Sequence, residues 1–157
     1  MKLNEIGYQT IMNFEGLSLK PYLCSSSVPT IGYGNTYYPN GKKVTMRDKP
    51  ITKEYAIEIF KFIADLFAKD VNNLLKTTVT QNQFNALVSF AYNVGSDIDA
   101  DDIPEGLGDS TLLKKVNKNP NDLSIMTEFL KWVRSNGEIS KGLTTRRKKE
   151  AILYFTK

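Results

Sequence analysis

Apolar and polar positions predict a short helix at the start of the chain, followed by a small sheet. Apolar side chains first recur at helical spacing at Leu3, Ile6, Ile11 and Phe14. Gly16 is a plausible helix stop, so a helix is predicted over residues 3–15. Residues 19–48 contain prolines, serines, β-branched and aromatic residues and a Pro-Asn-Gly turn, which predict one or two hairpins.

Beyond residue 52 the pattern is helical to the end of the chain. A long apolar face predicts one extended helix with Thr52 as a candidate N-cap, and its members are Ala56, Ile59, Phe60, Ile63, Phe67, Val71 and Leu74. Shorter stripes predict helices after the candidate cap Thr80, around residues 112–116 and 123–133, and after a cap at Thr144 or Thr145.

The strands are confined to one segment, so the predicted fold class is α+β. We expect a small N-terminal lobe with a short antiparallel sheet, joined by a long helix to a helical C-terminal lobe. A length of 157 residues, 41% of them apolar and 24% charged, fits one domain over residues 1–157. Two lobes imply a cleft between them.

Composition excludes several kinds of chemistry. The chain has no histidine, so Ser-His-Asp and Cys-His nucleophiles and the HExxH zinc helix are impossible. Its one cysteine, Cys24, cannot form an internal disulfide. No stretch reaches the ~18 apolar residues that a membrane span needs, and no export signal is recognisable.

The net charge of +4 is unevenly distributed. Residues 131–157 carry eight Lys or Arg against two Glu, which predicts attraction to nucleic acid, a membrane surface or an anionic cell wall. The segment 96–109 is acidic, with Asp97, Asp99 and Asp101 spaced like the start of a calcium loop. Asp102 replaces the required Gly and Gly108 the required Glu, so no metal is predicted there. We expect a mobile, solvated insertion.

Glu15 is the first candidate for catalysis. It lies in the last turn of the predicted helix, where the negative end of the helix dipole and the apolar neighbours Phe14 and Leu17 favour a protonated carboxyl. A carboxylic acid that stays protonated near neutral pH can serve as a general acid. Most glutamates at helix ends are merely solvated, so position alone does not decide.

The residues that follow carry a family resemblance. Residues 15–36 have the sequence EGLSLKPYLCSSSVPTIGYGNT, with Cys24 nine positions after Glu15 and Thr30 six positions later. Three further blocks follow in order, TQNQFNALVSFAYNVG, STLLK and GLTTRRKKE. Together they resemble the phage-type lysozymes, the endolysin muramidases of glycoside hydrolase family 24.

The resemblance implies a lysozyme-like fold and cleavage of the β-1,4 bond between N-acetylmuramic acid and N-acetylglucosamine in peptidoglycan. Glu15 would protonate the glycosidic oxygen, while Thr30 and Cys24 would place the attacking water. Arg146 would orient Glu15. Cleavage with inversion is expected. A free thiol has a pKa of ~8.5, so the resemblance does not decide whether Cys24 acts as a base or only orients water.

The resemblance also implies substrate contacts, at Gly32, Tyr33, Gly34, Tyr92 and Asn93. The site residues also have alternative structural roles: strand or turn residue for Thr30 and the glycines, buried hydrophobe for Cys24, and helix C-cap for the end of the 80–95 block. Arg146 and Arg147 have the alternative of being two surface cations on a helix. The expected partner is bacterial peptidoglycan. No cofactor, no specific nucleic acid and no membrane span are expected, and we expect a monomer.

Without an export signal, we expect synthesis in the host cytoplasm and action on the cell wall after release. A lytic transglycosylase is the nearest alternative, because it would use the same Glu15 but let a hydroxyl of the sugar attack. A catalytically silent wall-binding or virion module is a second alternative. A nucleic-acid binder is a third, although the basic residues accompany no recognition motif.

Overall fold

A computed structural model describes residues 1–24, 26–99 and 105–157, so Asp101 and Asp102 of the calcium-like pattern lie outside the described residues. The chain forms two compact units, residues 8–66 and residues 1–7 with 67–157. In chain order, the elements are α1 (Glu5–Glu15), β1 (Ser18–Leu23), β2 (Pro29–Gly32), α2 (Lys53–Leu74), α3 (Gln81–Val94), α4 (Thr111–Lys118), α5 (Ile125–Phe129), β3 (Arg134–Ser135), β4 (Glu138–Ile139) and α6 (Lys141–Phe155). This helical fold with small antiparallel sheets confirms the predicted α+β class.

Helix α1 starts two residues later than the apolar pattern predicts. The side chain of Asn4 accepts a hydrogen bond from the backbone N–H of Gly7 at 3.1 Å, in the manner of a helix cap. Leu3 is buried ahead of the helix, whereas Ile6 is 52% exposed. The cap therefore sets the first residue of the helix.

The sheet of the unit formed by residues 8–66 is one antiparallel pair, β1 and β2. Tyr22 pairs with Thr30, and the register shifts between Ser18 and Tyr22. A tight loop follows β2, because Ile31 and Asn35 exchange two backbone hydrogen bonds of 2.9 Å. The predicted Pro-Asn-Gly turn is present, closed by the bridge between Tyr37 and Lys43.

The first part of α2 covers this sheet segment with an apolar face. The predicted cap holds, since the Thr52 hydroxyl accepts from the N–H of Tyr55 at 3.2 Å. Tyr33 packs its ring 5.5 Å from the ring of Phe60. The buried apolar side chains of this unit are Ile11, Ile31, Tyr33, Val44, Ala56, Ile59, Phe60, Ile63 and Ala64.

Helix α3 is the most buried helix among the described residues of the other unit. Thr80 and Gln83 form a reciprocal capping box at its start, which confirms the predicted cap. Phe90 of α3 stands edge-on to Phe129 and to Trp132, with ring centroids 5.6 and 5.4 Å away. This aromatic cluster lies beside α6, which packs along α3.

The sequence pattern is wrong in three places within residues 120–145. Arg134–Ser135 and Glu138–Ile139 form a hairpin around an Asn-Gly turn, so strands are not confined to residues 19–48. The predicted helix over 123–133 shortens to α5, and Leu123 is 77% exposed. Ser140, not Thr144 or Thr145, caps α6, since its hydroxyl accepts from the N–H of Leu143.

The acidic segment is packed at its end, contrary to the expected solvated loop. Leu107 is fully buried, and its N–H donates to the carbonyl of Gly95 at 3.1 Å. A Cβ at Gly108 would lie 1.6 Å from the carbonyl oxygen of Asp97, so the backbone approaches too closely there for a side chain. Residues 105–109 therefore belong to the fold of this unit.

A search of the described residues finds no helix with the length and apolar character that crossing a membrane would require.

Candidate active site

Glu15 occupies the end of α1, where a glycine makes room for its carboxyl. The residue is half-buried and lines a cavity of about 260 Å³ together with Gly16, Leu17, Ser18 and Tyr22. A Cβ placed at Gly34 would lie 2.8 Å from Oε2 of Glu15, closer than van der Waals contact permits. Gly34 has a φ of +79°, in the left-handed region that favours glycine.

Cys24 and Thr30 lie together where β1 runs into β2. The Thr30 hydroxyl donates to the carbonyl oxygen of Val28 at 2.9 Å and lies close enough to the Cys24 thiol to help lower its pKa. The backbone N–H groups of Val28 and Ser26 lower the pKa of the Cys24 thiol from its usual value. Thr30 is buried and Cys24 is half-buried. A turn, rather than a neighbouring cation, thus creates an environment that favours a thiolate.

Tyr22 is a site residue that the sequence analysis missed. It pairs with Thr30 across the sheet and lines the Glu15 cavity. Burial raises the pKa of its hydroxyl, and the charges of Glu15 and Cys24 raise it further. Tyr22 therefore lies within electrostatic reach of both residues. Its position two residues before Cys24, in a segment that the sequence predicts to be extended so that alternate side chains share one face, was the available signal.

The other predicted contacts of this unit have structural roles. Gly32 is buried, and a Cβ there would lie 3.3 Å from Oδ1 of Asn35. Tyr33 is 6% exposed with its ring against Phe60. These observations support packing roles for both residues, whereas their predicted contacts with saccharide stay predictions.

Tyr92 and Asn93 lie in the last turn of α3. Tyr92 is half-buried, with its ring 5.3 Å from that of Phe67. Asn93 is exposed, and its side-chain oxygen accepts a hydrogen bond from Nη2 of Arg147. The C-cap is Gly95, whose N–H donates to the carbonyl of Ala91. The alternative role of this helix end as a C-cap is therefore confirmed, with Gly95 as the capping residue.

Arg146 and Arg147 are buried rather than surface cations, and both pair with the buried Glu150. Oε1 of Glu150 accepts from Nε of Arg146 at 3.0 Å and from the hydroxyl of Ser89 at 2.7 Å, while Oε2 accepts from Nη1 of Arg147. Burial raises the pKa of Glu150, and the two guanidinium groups oppose that shift. The predicted action of Arg146 on Glu15 stays a prediction.

Three acidic side chains of the 96–109 segment come together. Ligand oxygens of Asp97, Asp99 and Asp109 lie within 4.8 Å of one another. Oδ2 of Asp97 accepts from the backbone N–H groups of Glu105, Gly106 and Asp109 at 3.0–3.3 Å. The Asp97 carboxylate therefore organises the loop backbone.

Comparison with known proteins identifies the family to which the chain belongs. The family model for phage lysozyme matches residues 12–150. The endolysin of Bacillus phage PZA is 38% identical over 98% of this chain, which spans only 55% of that relative. Solved structures cover 99% of the chain. One is an endolysin from Escherichia coli O157:H7 phage FAHEc1, with a TM-score of 0.86, 35% identity and 94% of its own chain covered. Another is the muramidase domain of SpmX from Asticaccaulis excentricus, with a TM-score of 0.79, 29% identity and 99% of its own chain covered.

The family match covers well over half of the chain, and the solved relatives share its fold over nearly all of it. The chain belongs to the phage lysozyme family.

Proposed function

We propose that the protein hydrolyses peptidoglycan at the β-1,4 bond between N-acetylmuramic acid and N-acetylglucosamine. The observation that carries this proposal is the placement of Glu15 at a helix end, with its carboxyl against Gly34 and Tyr22 within reach of both Glu15 and Cys24. A carboxyl can supply the proton for general-acid hydrolysis, and a thiol and a hydroxyl can hold and orient the attacking water.

In this proposal Glu15 donates its proton to the glycosidic oxygen as the bond to the leaving sugar breaks. The Cys24 thiol and the Thr30 hydroxyl hold and orient the water that attacks the anomeric carbon, and the proton which this water loses passes to solvent, from which Glu15 is reprotonated. Arg146 orients Glu15, and Gly32, Tyr33, Gly34, Tyr92 and Asn93 contact the saccharide. Attack by water on the face opposite the leaving group would invert the anomeric configuration.

Family membership supports the substrate class. The related proteins carry the names endolysin and muramidase domain. The chain spans about half the length of the first curated relatives that it matches, so the activity, the substrate and the site of action of the whole protein are proposals. We propose action on the bacterial cell wall after release from the host cytoplasm, by a monomer without cofactor.

The test is the fate of purified peptidoglycan. We expect the protein to release fragments with new reducing ends, and Glu15→Gln to remain folded while releasing none, because the amide cannot supply the proton. Substantial release by Glu15→Gln would overturn the assignment of the acid. Near-ultraviolet circular dichroism checks that the variant is folded.

Mass spectrometry of the same digests separates the alternatives. Fragments ending in 1,6-anhydro sugars would identify a lytic transglycosylase and contradict hydrolysis. Binding without any fragment would identify a silent wall-binding module. Clearing of permeabilised cells, followed by turbidity, gives the same distinction between an enzyme and a binding module.

A further inference from the structure

Arg147 is a buried cation that the proposed chemistry does not use. Its side chain is fully buried. Nη1 donates to Glu150, Nε donates to the carbonyl of Trp132 at 3.2 Å, and the guanidinium lies 4.7 Å from the centre of the Phe90 ring. Burying a charge is costly, and an apolar side chain of similar volume often fills such a place at no loss of stability. A guanidinium held on several sides therefore calls for a role beyond packing.

A fourth contact joins the buried guanidinium of Arg147 to an exposed residue. Nη2 donates to Oδ1 of Asn93, an exposed residue in the last turn of α3. A guanidinium carries only donors, so the oxygen of the Asn93 amide must face it and the amide nitrogen must face away. Within the described part of the chain, that nitrogen has no hydrogen-bond partner. Arg147 thus determines which end of the amide Asn93 presents.

We propose that Arg147 is a positioning residue, which fixes the Asn93 amide so that its N–H₂ group donates to an acceptor oxygen of the bound glycan. This inference rests on the proposed function, because it deepens the assignment of Asn93 to glycan binding. Glu150 holds Arg147 and is itself held by Ser89 and Arg146. Ether, hydroxyl and acetamido carbonyl oxygens of peptidoglycan are suitable acceptors.

Two substitutions at Asn93 test the polarity of the amide. Asn93→Asp keeps the contact with Arg147, because a carboxylate also accepts from a guanidinium, but it presents no donor. Asn93→Ala removes both contacts. We expect Asn93→Asp to keep or raise the thermal midpoint and to weaken binding of soluble, uncross-linked peptidoglycan glycan strands about three- to tenfold, the effect of one neutral hydrogen bond. Binding at high salt removes the contribution of repulsion between charges.

A third variant tests whether Arg147 acts through Asn93. Lysine offers a single ammonium and cannot bridge Glu150, Trp132 and Asn93 as a planar guanidinium does. We expect Arg147→Lys to raise KM about three- to tenfold with kcat nearly unchanged. In the Asn93→Ala background, the same substitution should weaken binding no further, because the group through which it acts is already absent.

Glu128→Gln is the matched control for loss of a buried ion pair in the same unit. Glu128 is buried, with Lys115 at 2.6 Å and Lys131 at 2.7 Å, and its described contacts do not include Asn93. We expect it to lower the thermal midpoint and to leave KM unchanged. An equal rise in KM in Glu128→Gln would show general loosening and overturn the proposal.

The proposal is also overturned if Asn93→Asp binds glycan as the wild type does, or if the effects of Arg147→Lys and Asn93→Ala simply multiply. Binding is measured in the Glu15→Gln background, so it does not depend on cleavage. A wild-type protein that cleaves nothing but binds through Asn93 would contradict the proposed function alone. Cleavage with binding that ignores Asn93 would contradict this inference alone.

Discussion

The carboxyl of Glu15 occupies the space that a side chain at position 34 would need. A Cβ at Gly34 would lie 2.8 Å from Oε2 of Glu15, and the carboxyl carbon would be 3.4 Å away. Glu15 ends α1 and Gly34 follows β2, so the loop after β2 limits the space in which the carboxyl of the candidate acid lies. The glycine is therefore part of the site through its missing side chain.

We predict that Gly34→Ala displaces the Glu15 carboxyl and lowers kcat about a hundredfold, because a misplacement near 1 Å can cost that much. The substitution should also cost about 1–2 kcal/mol of folding free energy, since alanine is disfavoured at positive φ. Kinetics on soluble glycan strands and chemical denaturation measure the two effects separately.

Gly41→Ala is the matched control. Gly41 has a φ of +80°, and a Cβ there meets no described atom within 4 Å. It should lose similar stability and keep the wild-type kcat. Equal kcat values for the two variants would show that Gly34 is needed only for its positive φ and not to leave space for the Glu15 carboxyl.

Thr30→Val tests the hydroxyl at the start of β2. The side chain is 2% exposed, so the nearly isosteric valine should fit, and the carbonyl of Val28 would keep its bond from the N–H of Cys24 at 3.1 Å. We expect an intact fold with turnover lowered about a hundredfold, if the hydroxyl positions the water. Thr30→Ser restores the hydroxyl and should recover most of the turnover. Activity of Thr30→Val within about threefold of wild type would make Thr30 a strand residue only.

The role of Cys24 can be decided from the pH dependence of kcat/KM. We expect the residue to orient water, so that Cys24→Asp retains activity and Cys24→Ser retains part of it, with an unchanged ascending limb. If a thiolate is required instead, the rate must rise with pH as the thiol deprotonates. The N–H of Val28 lowers that pKa, so the rise would occur below the usual range of cysteine. An inactive serine variant with such a limb in the wild type would contradict water orientation.

Leu107→Ala tests whether the acidic segment is packed. Leu107 is fully buried, so the truncation should cost about 2–5 kcal/mol of folding free energy. Ile98→Ala, at a residue of the same segment that is 66% exposed, should cost less than about 0.5 kcal/mol. Denaturant titration compares them. Equal, small losses of folding free energy in the two variants would show that the segment is a solvated loop, as its composition predicts.

The amino-acid sequence determined most of the local structure. Periodicity placed α2 and α3, and the caps at Thr52 and Thr80 were predicted because a hydroxyl three residues before a backbone N–H is a local signal. The motif from Glu15 to Thr30 was also local. The errors in the predicted secondary structure were local too. The Asn-Gly turn at residues 136–137 was a hairpin signal, but the helical pattern around it obscured that signal.

Only the tertiary structure decided which side chains these elements bring together. The composition of the acidic segment gave no sign that Leu107 is buried. Sequence near Cys24 offers only Lys20 as a cation, whereas turn geometry supplies the N–H of Val28. Arg147 and Asn93 are 54 residues apart, and nothing local links them. Propensity and periodicity report on neighbours along the chain, but the contacts that orient a site form between distant segments, where packing of the whole unit selects the partner.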